Sequence, residues 1–218
     1  MNIGILGTGM VGDAIGTKLV QLGHNVKMGS RTTANEKAKI WVQKNGAKAS
    51  QGTFADAAIF ATEFIFNCTS GLASLEVLKS AGSENLKGKI LVDISNPLDF
   101  SNGFPPSLSV VNTDSLGEQI QRAFPNLKVV KTLNTLSNPL MVNPSLVNGG
   151  DHTIFLSGND AEAKTKTLSL LASFGWKSEN VIDLGDITTA RGTEQVLPIW
   201  VRLFGKFQSP MFQFKIVQ

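Results

Sequence analysis

Apolar and polar positions along the chain repeat with two alternating periods. Short apolar runs at residues 3–6, 25–28, 64–68, 89–94 and 128–133, with a weaker one near Ala47, read as buried strands. Between them the apolar positions recur at helical spacing, predicting helices over residues 10–22, 34–45, 54–58, 73–81 and 115–124. In the first helix Val11, Ile15, Leu19, Val20 and Leu22 fall on one face. Strand and helix in alternation imply parallel βαβ units with right-handed crossovers. After Pro139 and Pro144 the pattern changes: a strand at 153–157, a helix at 161–174, a short strand at 181–184 and a terminal helical stretch at 188–204. Val196, Ile199, Trp200, Leu203 and Phe204 carry the periodicity of that last stretch, and Pro198 inside it predicts a kink or a helix restart.

The first apolar run leads directly into Gly7-Thr8-Gly9-Met10-Val11-Gly12 and then the first helix. Gly7 suits a tight turn, Gly9 has no side chain to obstruct a phosphate, and Gly12 lets the helix pack closely on its strand. The helix N-terminus then presents free N–H groups and its positive dipole end to an anion. A glycine triplet by itself is weak evidence, but the strand before it and the amphipathic helix after it make this a dinucleotide-binding fingerprint. The expected fold is therefore α/β, a Rossmann-type doubly wound, mostly parallel sheet with a small C-terminal α/β lobe. Residues 1–139 are expected to form the nucleotide-binding domain and residues 140–218 a small C-terminal domain.

The end of the second strand selects between the two nicotinamide dinucleotides, because NAD-binding folds place an acid there on the ribose 2′-hydroxyl. This chain has Gly29-Ser30-Arg31-Thr32-Thr33, with no acid before Glu36. A guanidinium and hydroxyl groups satisfy a 2′-phosphate, which a carboxylate would repel, so NADP is the expected cofactor. A purely structural role, with Ser30 and Thr32 at a helix start and Arg31 solvated, is the alternative.

Composition narrows the remaining classes. The chain has 218 residues, 42% hydrophobic and 17% charged, enough for one substantial core with a small appended lobe. A net charge of +3 without a basic run gives nucleic-acid binding little support. No apolar stretch is long enough to span a bilayer, and a glycine loop starting at Gly7 leaves no room for a removable leader, so the expected location is the cytoplasm. One cysteine, Cys68, and two histidines make neither an internal disulfide nor a convincing metal site.

Residues just past the strands face the cofactor in such a fold, which singles out Thr69-Ser70-Gly71, Ser95-Asn96-Pro97 and Asn134-Thr135. All are small, polar and turn-forming, suited to hydrogen bonds with a ribose, a carboxamide or a planar second ligand, though turns also favour them for conformational reasons. The chain has no tyrosine, which removes the Tyr–Lys acid of short-chain carbonyl reductases. His24 is expected in a turn far from the strand carboxyl ends, and His152 at the surface. Lys131, inside the sixth strand, is the remaining candidate for proton transfer, and no catalytic residue is assigned. Hydride exchange between two redox cofactors needs little acid–base help from a protein.

These residues resemble the NADPH-dependent reductases of the deazaflavin coenzyme F420 and their bacterial relatives, nearly end to end. The resemblance rests on Ile5-Leu6-Gly7-Thr8-Gly9-Met10-Val11-Gly12, Gly29-Ser30-Arg31, Val130-Lys131-Thr132-Leu133-Asn134-Thr135, and Asp183-Leu184-Gly185 followed by Ala190-Arg191 and Glu194. It implies that Thr8, Gly9, Met10 and Val11 contact the pyrophosphate side of NADP and that Ser30 and Arg31 hold the 2′-phosphate. It also implies that Thr69, Ser70 and Pro97 line the adenosine or ribose, and that Asn134 and Thr135 border the nicotinamide and the second cofactor. The deazaflavin enzymes carry His-Thr where this chain has Asn134-Thr135, and relatives with Asn-Thr include the reductase domains of ferric reductases. A homodimer with the terminal helix at its interface is implied as well.

The leading expectation is an NADP-dependent oxidoreductase exchanging hydride with a small redox co-substrate, deazaflavin F420 or a flavin-like acceptor. A β-hydroxyacid-type dehydrogenase is a second reading, although it needs an all-helical domain where the pattern after Pro139 mixes strands and helices. A non-catalytic NADPH-binding sensor or electron-relay protein is a third. Residue types alone name neither the acceptor nor the direction of transfer.

Overall fold

The computed structural model describes residues 1–218. Ten strands and ten helices follow in chain order. The first half holds β1 (Asn2–Leu6), α1 (Met10–Gln21), β2 (Asn25–Ser30), α2 (Glu36–Asn45), β3 (Ala49–Thr53), α3 (Phe54–Phe60), β4 (Phe64–Asn67), α4 (Gly71–Ala81), α5 (Ser83–Leu86) and β5 (Ile90–Asp93). The second half holds β6 (Leu98–Asp99), β7 (Ser107–Leu108), α6 (Leu116–Ala123), β8 (Lys128–Thr132), α7 (Asn138–Val142), β9 (Ile154–Gly158), α8 (Ala161–Phe174), β10 (Val181–Asp183), α9 (Ala190–Gln195) and α10 (Leu197–Phe207).

Eight strands form one sheet in the order β10-β9-β8-β5-β4-β1-β2-β3. All neighbours run parallel except β8 and β9. From β3 to β8 this is the dinucleotide-fold order, and the chain reverses direction across the sheet between β1 and β4. That reversal opens a crevice at the strand carboxyl ends.

The strands are apolar on both faces because helices cover both. Ile3 and Ile5 of β1, Phe64 and Phe66 of β4, and Ile90 and Val92 of β5 face the core shared with Ile15, Leu19 and Trp41. Leu6, Ile65 and Leu91, of opposite parity, face a second core under α3, α4 and α6. Strands β9 and β10 extend the sheet past β8, and Leu170, Leu171 and Phe174 of α8 join the first core. Local signals start and end α8 where the sequence places it. Asp160 accepts the Ala163 amide at 2.8 Å to start α8, and Gly175, at φ 106°, ends it.

Several expectations shift. The weak third strand lies at Ala49–Thr53, beyond a tight turn at Gly46–Lys48, and the short β6–β7 hairpin had no periodic signal. The terminal helical stretch is two helices, α9 and α10, with Pro198 in the first turn of the second, where its missing N–H costs nothing. His152 is not a surface residue: it is 2% exposed, its Nε2 lies 2.9 Å from the Pro144 carbonyl oxygen, and its ring packs edge-on against Trp176. His24 sits beside the chain N-terminus at the opposite end of the sheet from the crevice. No helix is long and apolar enough to cross a membrane.

Candidate active site

The glycine loop adopts the conformation its residue types demand. Gly7 has φ 115°, and a Cβ there would lie 2.7 Å from the Cys68 carbonyl oxygen. A Cβ on Gly12 would lie 2.2 Å from the Gly7 carbonyl oxygen, so Gly12 serves the packing of α1 on the turn. Gly9 is different. Nothing lies within 4 Å of a Cβ built on it, and as N-cap of α1 it offers no side chain to the helix amides. The start of α1 is thus open to an oxyanion at the place where backbone donors are unspent.

On one side of this loop lies a groove of about 350 Å³ lined by Gly7, Thr8, Gly9, Ser30, Arg31, Thr69 and Ser70, among others. Arg31 is exposed and makes no ion pair, which leaves its guanidinium available to a phosphate. Ser30 is 4% exposed and its hydroxyl donates to the Thr32 carbonyl oxygen at 2.6 Å, so it shapes the turn as well as lining the groove. The Thr69 hydroxyl is held by Asn67 Oδ1 at 2.6 Å, whereas Ser70 is exposed at the start of α4.

Across Cys68 and Thr69 the groove gives way to a cleft of about 520 Å³. Its floor includes Val11, Ile94, Leu136 and Met141, and its outer wall is Leu197, Trp200 and Phe204 of α10. No Asp, Glu, Lys, Arg or His lines it. Its one titratable group is the Cys68 thiol, whose pKa burial pushes well above the ordinary thiol value. Met10, 78% exposed, stands at the rim. Asn96 and Asn134 also line the cleft and brace each other: Asn96 Nδ2 donates to the Asn134 carbonyl oxygen at 2.8 Å and Asn134 Nδ2 to Asn96 Oδ1 at 2.9 Å. Leu133, at φ 59°, is a non-glycine residue in the left-handed region, immediately before Asn134.

Of the fourteen residues singled out from the sequence, the structure brings together Gly7, Thr8, Gly9, Ser30, Arg31, Thr69 and Ser70 in the groove and Met10, Val11, Asn96 and Asn134 in the cleft. Gly12, Pro97 and Thr135 line neither. The Pro97 carbonyl instead accepts the Ser109 amide at 2.8 Å, and Thr135 is buried. Ser137 and Trp200, for which the sequence gives no binding signal, also line the cleft, and Ser137 Oγ and Trp200 Nε1 are buried without a hydrogen-bond partner.

On the face of the sheet shared with Ile65, Leu91 and Val129, opposite the core that holds Ile94, Leu136 and Met141, lies a row of polar side chains. Register pairs Asn67 of β4 with Asp93 of β5, and Asp93 with Lys131 of β8. Asn67 Nδ2 donates to Asp93 Oδ1 at 2.9 Å, and Lys131 Nζ lies 2.8 Å from Asp93 and 2.9 Å from Glu194 of α9. Burial alone would lower the Lys131 pKa, but the Asp93 and Glu194 carboxylates outweigh it and hold the ammonium above its ordinary value. Lys131 is fully buried and lines neither cavity, so it is not placed to exchange a proton with a ligand there. Nearby, Arg191 holds the Glu118 carboxylate below its ordinary pKa through paired hydrogen bonds, the Nε contact being 2.8 Å.

An open glycine turn at the switch point, a free arginine past β2 and an uncharged cleft beyond define a nucleotide-dependent oxidoreductase fold. The profile of the family described as NADP oxidoreductase, coenzyme F420-dependent, matches residues 2–97. A crystal structure of a proposed F420-dependent NADP reductase from Arthrobacter sp. FB24 is 51% identical, with TM-score 0.93 over 99% of each chain. The chain belongs to this family of NADP oxidoreductases. The metalloreductase STEAP3 of Rattus norvegicus is 30% identical over 208 residues, 91% of this chain and 37% of that protein. The chain therefore spans well under half the length of the curated metalloreductases it matches. An imine reductase from Aspergillus terreus, 18% identical with TM-score 0.64 over 95% of this chain and 62% of its own, shares the fold.

Proposed function

We propose that this chain, an NADP-dependent oxidoreductase by family, passes hydride between NADP(H) and a planar, charge-delocalising ring: deazaflavin F420 or a flavin-like acceptor. The observation that carries this reading is the uncharged, largely apolar cleft joined to the glycine-loop groove through Cys68 and Thr69. The residues present fit the dinucleotide. Thr8, Gly9 and the start of α1 would receive the pyrophosphate, Ser30 and Arg31 the 2′-phosphate, and Thr69 and Ser70 the groove-facing ribose. When bound, NADPH supplies the hydride; the protein supplies orientation and a dry site.

The thioether of Met10 offers an adaptable apolar surface to a ring, Trp200, stacked on Phe204 and Phe212, stiffens the wall, and Ser137 Oγ and Trp200 Nε1 are polar groups left over for the edge of the ring. A ring that delocalises the incoming charge needs no acid within the cleft, which agrees with the lack of a proton-transfer side chain there. We place the protein in the cytoplasm. It is proposed to work as a homodimer, through the face of α10 and the chain after it, where Ile199, Phe207 and Met211 are exposed.

The test is to mix purified protein with NADPH and, separately, a deazaflavin, FMN, FAD and a ferric chelate, and to follow absorbance of the reduced nicotinamide. Oxidation driven by a deazaflavin or flavin is expected. Turnover with the ferric chelate alone would move the reading to direct metal reduction. Tight NADPH binding with no turnover by any acceptor would leave a sensor.

A further inference from the structure

Three adjacent strands carry polar residues at or next to their carboxyl ends on one face, Asn67, Asp93 and Lys131, and Glu194 of α9 meets Lys131 there. The ammonium of Lys131 is shared by Asp93 and Glu194 and also donates to the Ser95 carbonyl oxygen. Glu194 accepts in addition the amides of Leu116 at 2.8 Å and Gly117 at 3.0 Å, at the start of α6. One buried cluster thereby joins β5, β8, α6 and α9. Its three charged side chains are 0%, 0% and 2% exposed.

Apolar residues of the same volume would hold such elements together about as well, because desolvating charges offsets much of their attraction. What a charged cluster adds is geometry, since only one arrangement satisfies every donor and acceptor. Here the geometry governed is that of the cleft. The carbonyl oxygen of Thr193, beside Glu194, accepts Asn134 Nδ2 at 3.2 Å, and Leu197, three residues after Glu194, begins the outer wall that Trp200 and Phe204 continue. The floor of the cleft belongs to the sheet side, and its wall belongs to α10, which follows α9 directly.

We propose that Lys131 is a positioning residue: by anchoring Glu194 to β5 and β8 it sets how far the α10 wall stands from the floor of the cleft. The consequence for the acceptor rests on the function proposed above. The placement of the wall does not.

Two variants test it, Lys131→Met, which keeps length and removes charge, and Glu194→Gln, which keeps shape and one oxygen, an acceptor for one of the Leu116 and Gly117 amides, and removes the charge that meets Lys131. Hydrogen–deuterium exchange of the NADPH-loaded chain is read first, since it needs no acceptor. Both variants are expected to exchange residues 190–207 at least ten-fold faster, with residues 2–53 unchanged and the Kd for NADPH within two-fold. With the acceptor that wild type uses, KM rises at least ten-fold while kcat falls by less. Unchanged exchange over 190–207 would overturn the proposal, and so would faster exchange with an unaltered acceptor KM. Should Lys131→Met not fold, Glu194→Gln carries both measurements. A wild type that turns over no acceptor would remove the proposed function, and the exchange result would still decide the role of Lys131.

Discussion

Arg31 is a guanidinium without a partner at the end of β2, in the position where an acid would mark a preference for NAD. In the proposed complex it meets the 2′-phosphate, so Arg31→Ala should weaken NADPH binding by about 1.5–3 kcal/mol, the worth of a hydrogen bond to a charged group. NADH, lacking that phosphate, should be nearly unaffected; equal losses for both in a calorimetric titration would contradict the assignment. Glu118 offers a second measurement, independent of cofactor. Because Arg191 lowers its pKa in the folded chain, its stabilisation is full above the ordinary glutamate range and is lost as pH falls through the lowered value. Glu118→Gln should therefore lower stability at neutral pH by about 1–3 kcal/mol. The gap from wild type should close as the pH falls below about 4. Urea midpoints over a descending pH series would show whether it does.

At the scale of elements, two glycines at helix starts make opposite demands. A Cβ on Gly71 would lie 2.0 Å from the Asn96 carbonyl oxygen, where α4 meets the loop after β5. Gly71→Ala should cost about 1–3 kcal/mol of stability through forced displacement, read as a lower melting temperature without ligand. Gly9→Ala meets nothing within 4 Å and should leave the melting temperature nearly unchanged while weakening NADPH binding at least ten-fold by blocking the phosphate, on the order of 1.4 kcal/mol or more. The strands and long helices were legible because burial of one face imposes a period. Where length is too short for a period to show, as in β6 and β7, nothing in the local sequence announces pairing. His152 was misplaced for a related reason: its turn residues are polar, but the following strand and Trp176 bury the ring. The strands themselves carry a clearer signal. Asn67, Asp93 and Lys131 are polar residues near the ends of three otherwise apolar runs, and register brings them side by side.

For the molecule as a whole, the exposed apolar side chains of α10 and the segment after it lead to the proposed dimer, which sedimentation velocity would show at about twice the monomer mass of 23.3 kDa. Replacing Ile199 and Phe207 by polar residues should return it to monomer without loss of NADPH binding. The sequence by itself determined the order of the longer strands and helices, the glycine turn, the missing acid after β2 and so the family, because these depend on residues close together along the chain. Only the tertiary structure decided that β9 reverses direction beside β8, that α10 walls a cleft, and that Lys131 is a buried anchor remote from proton transfer. Those facts depend on which strands lie side by side and what the later helices cover, and burial of a charge is settled by its neighbours in space.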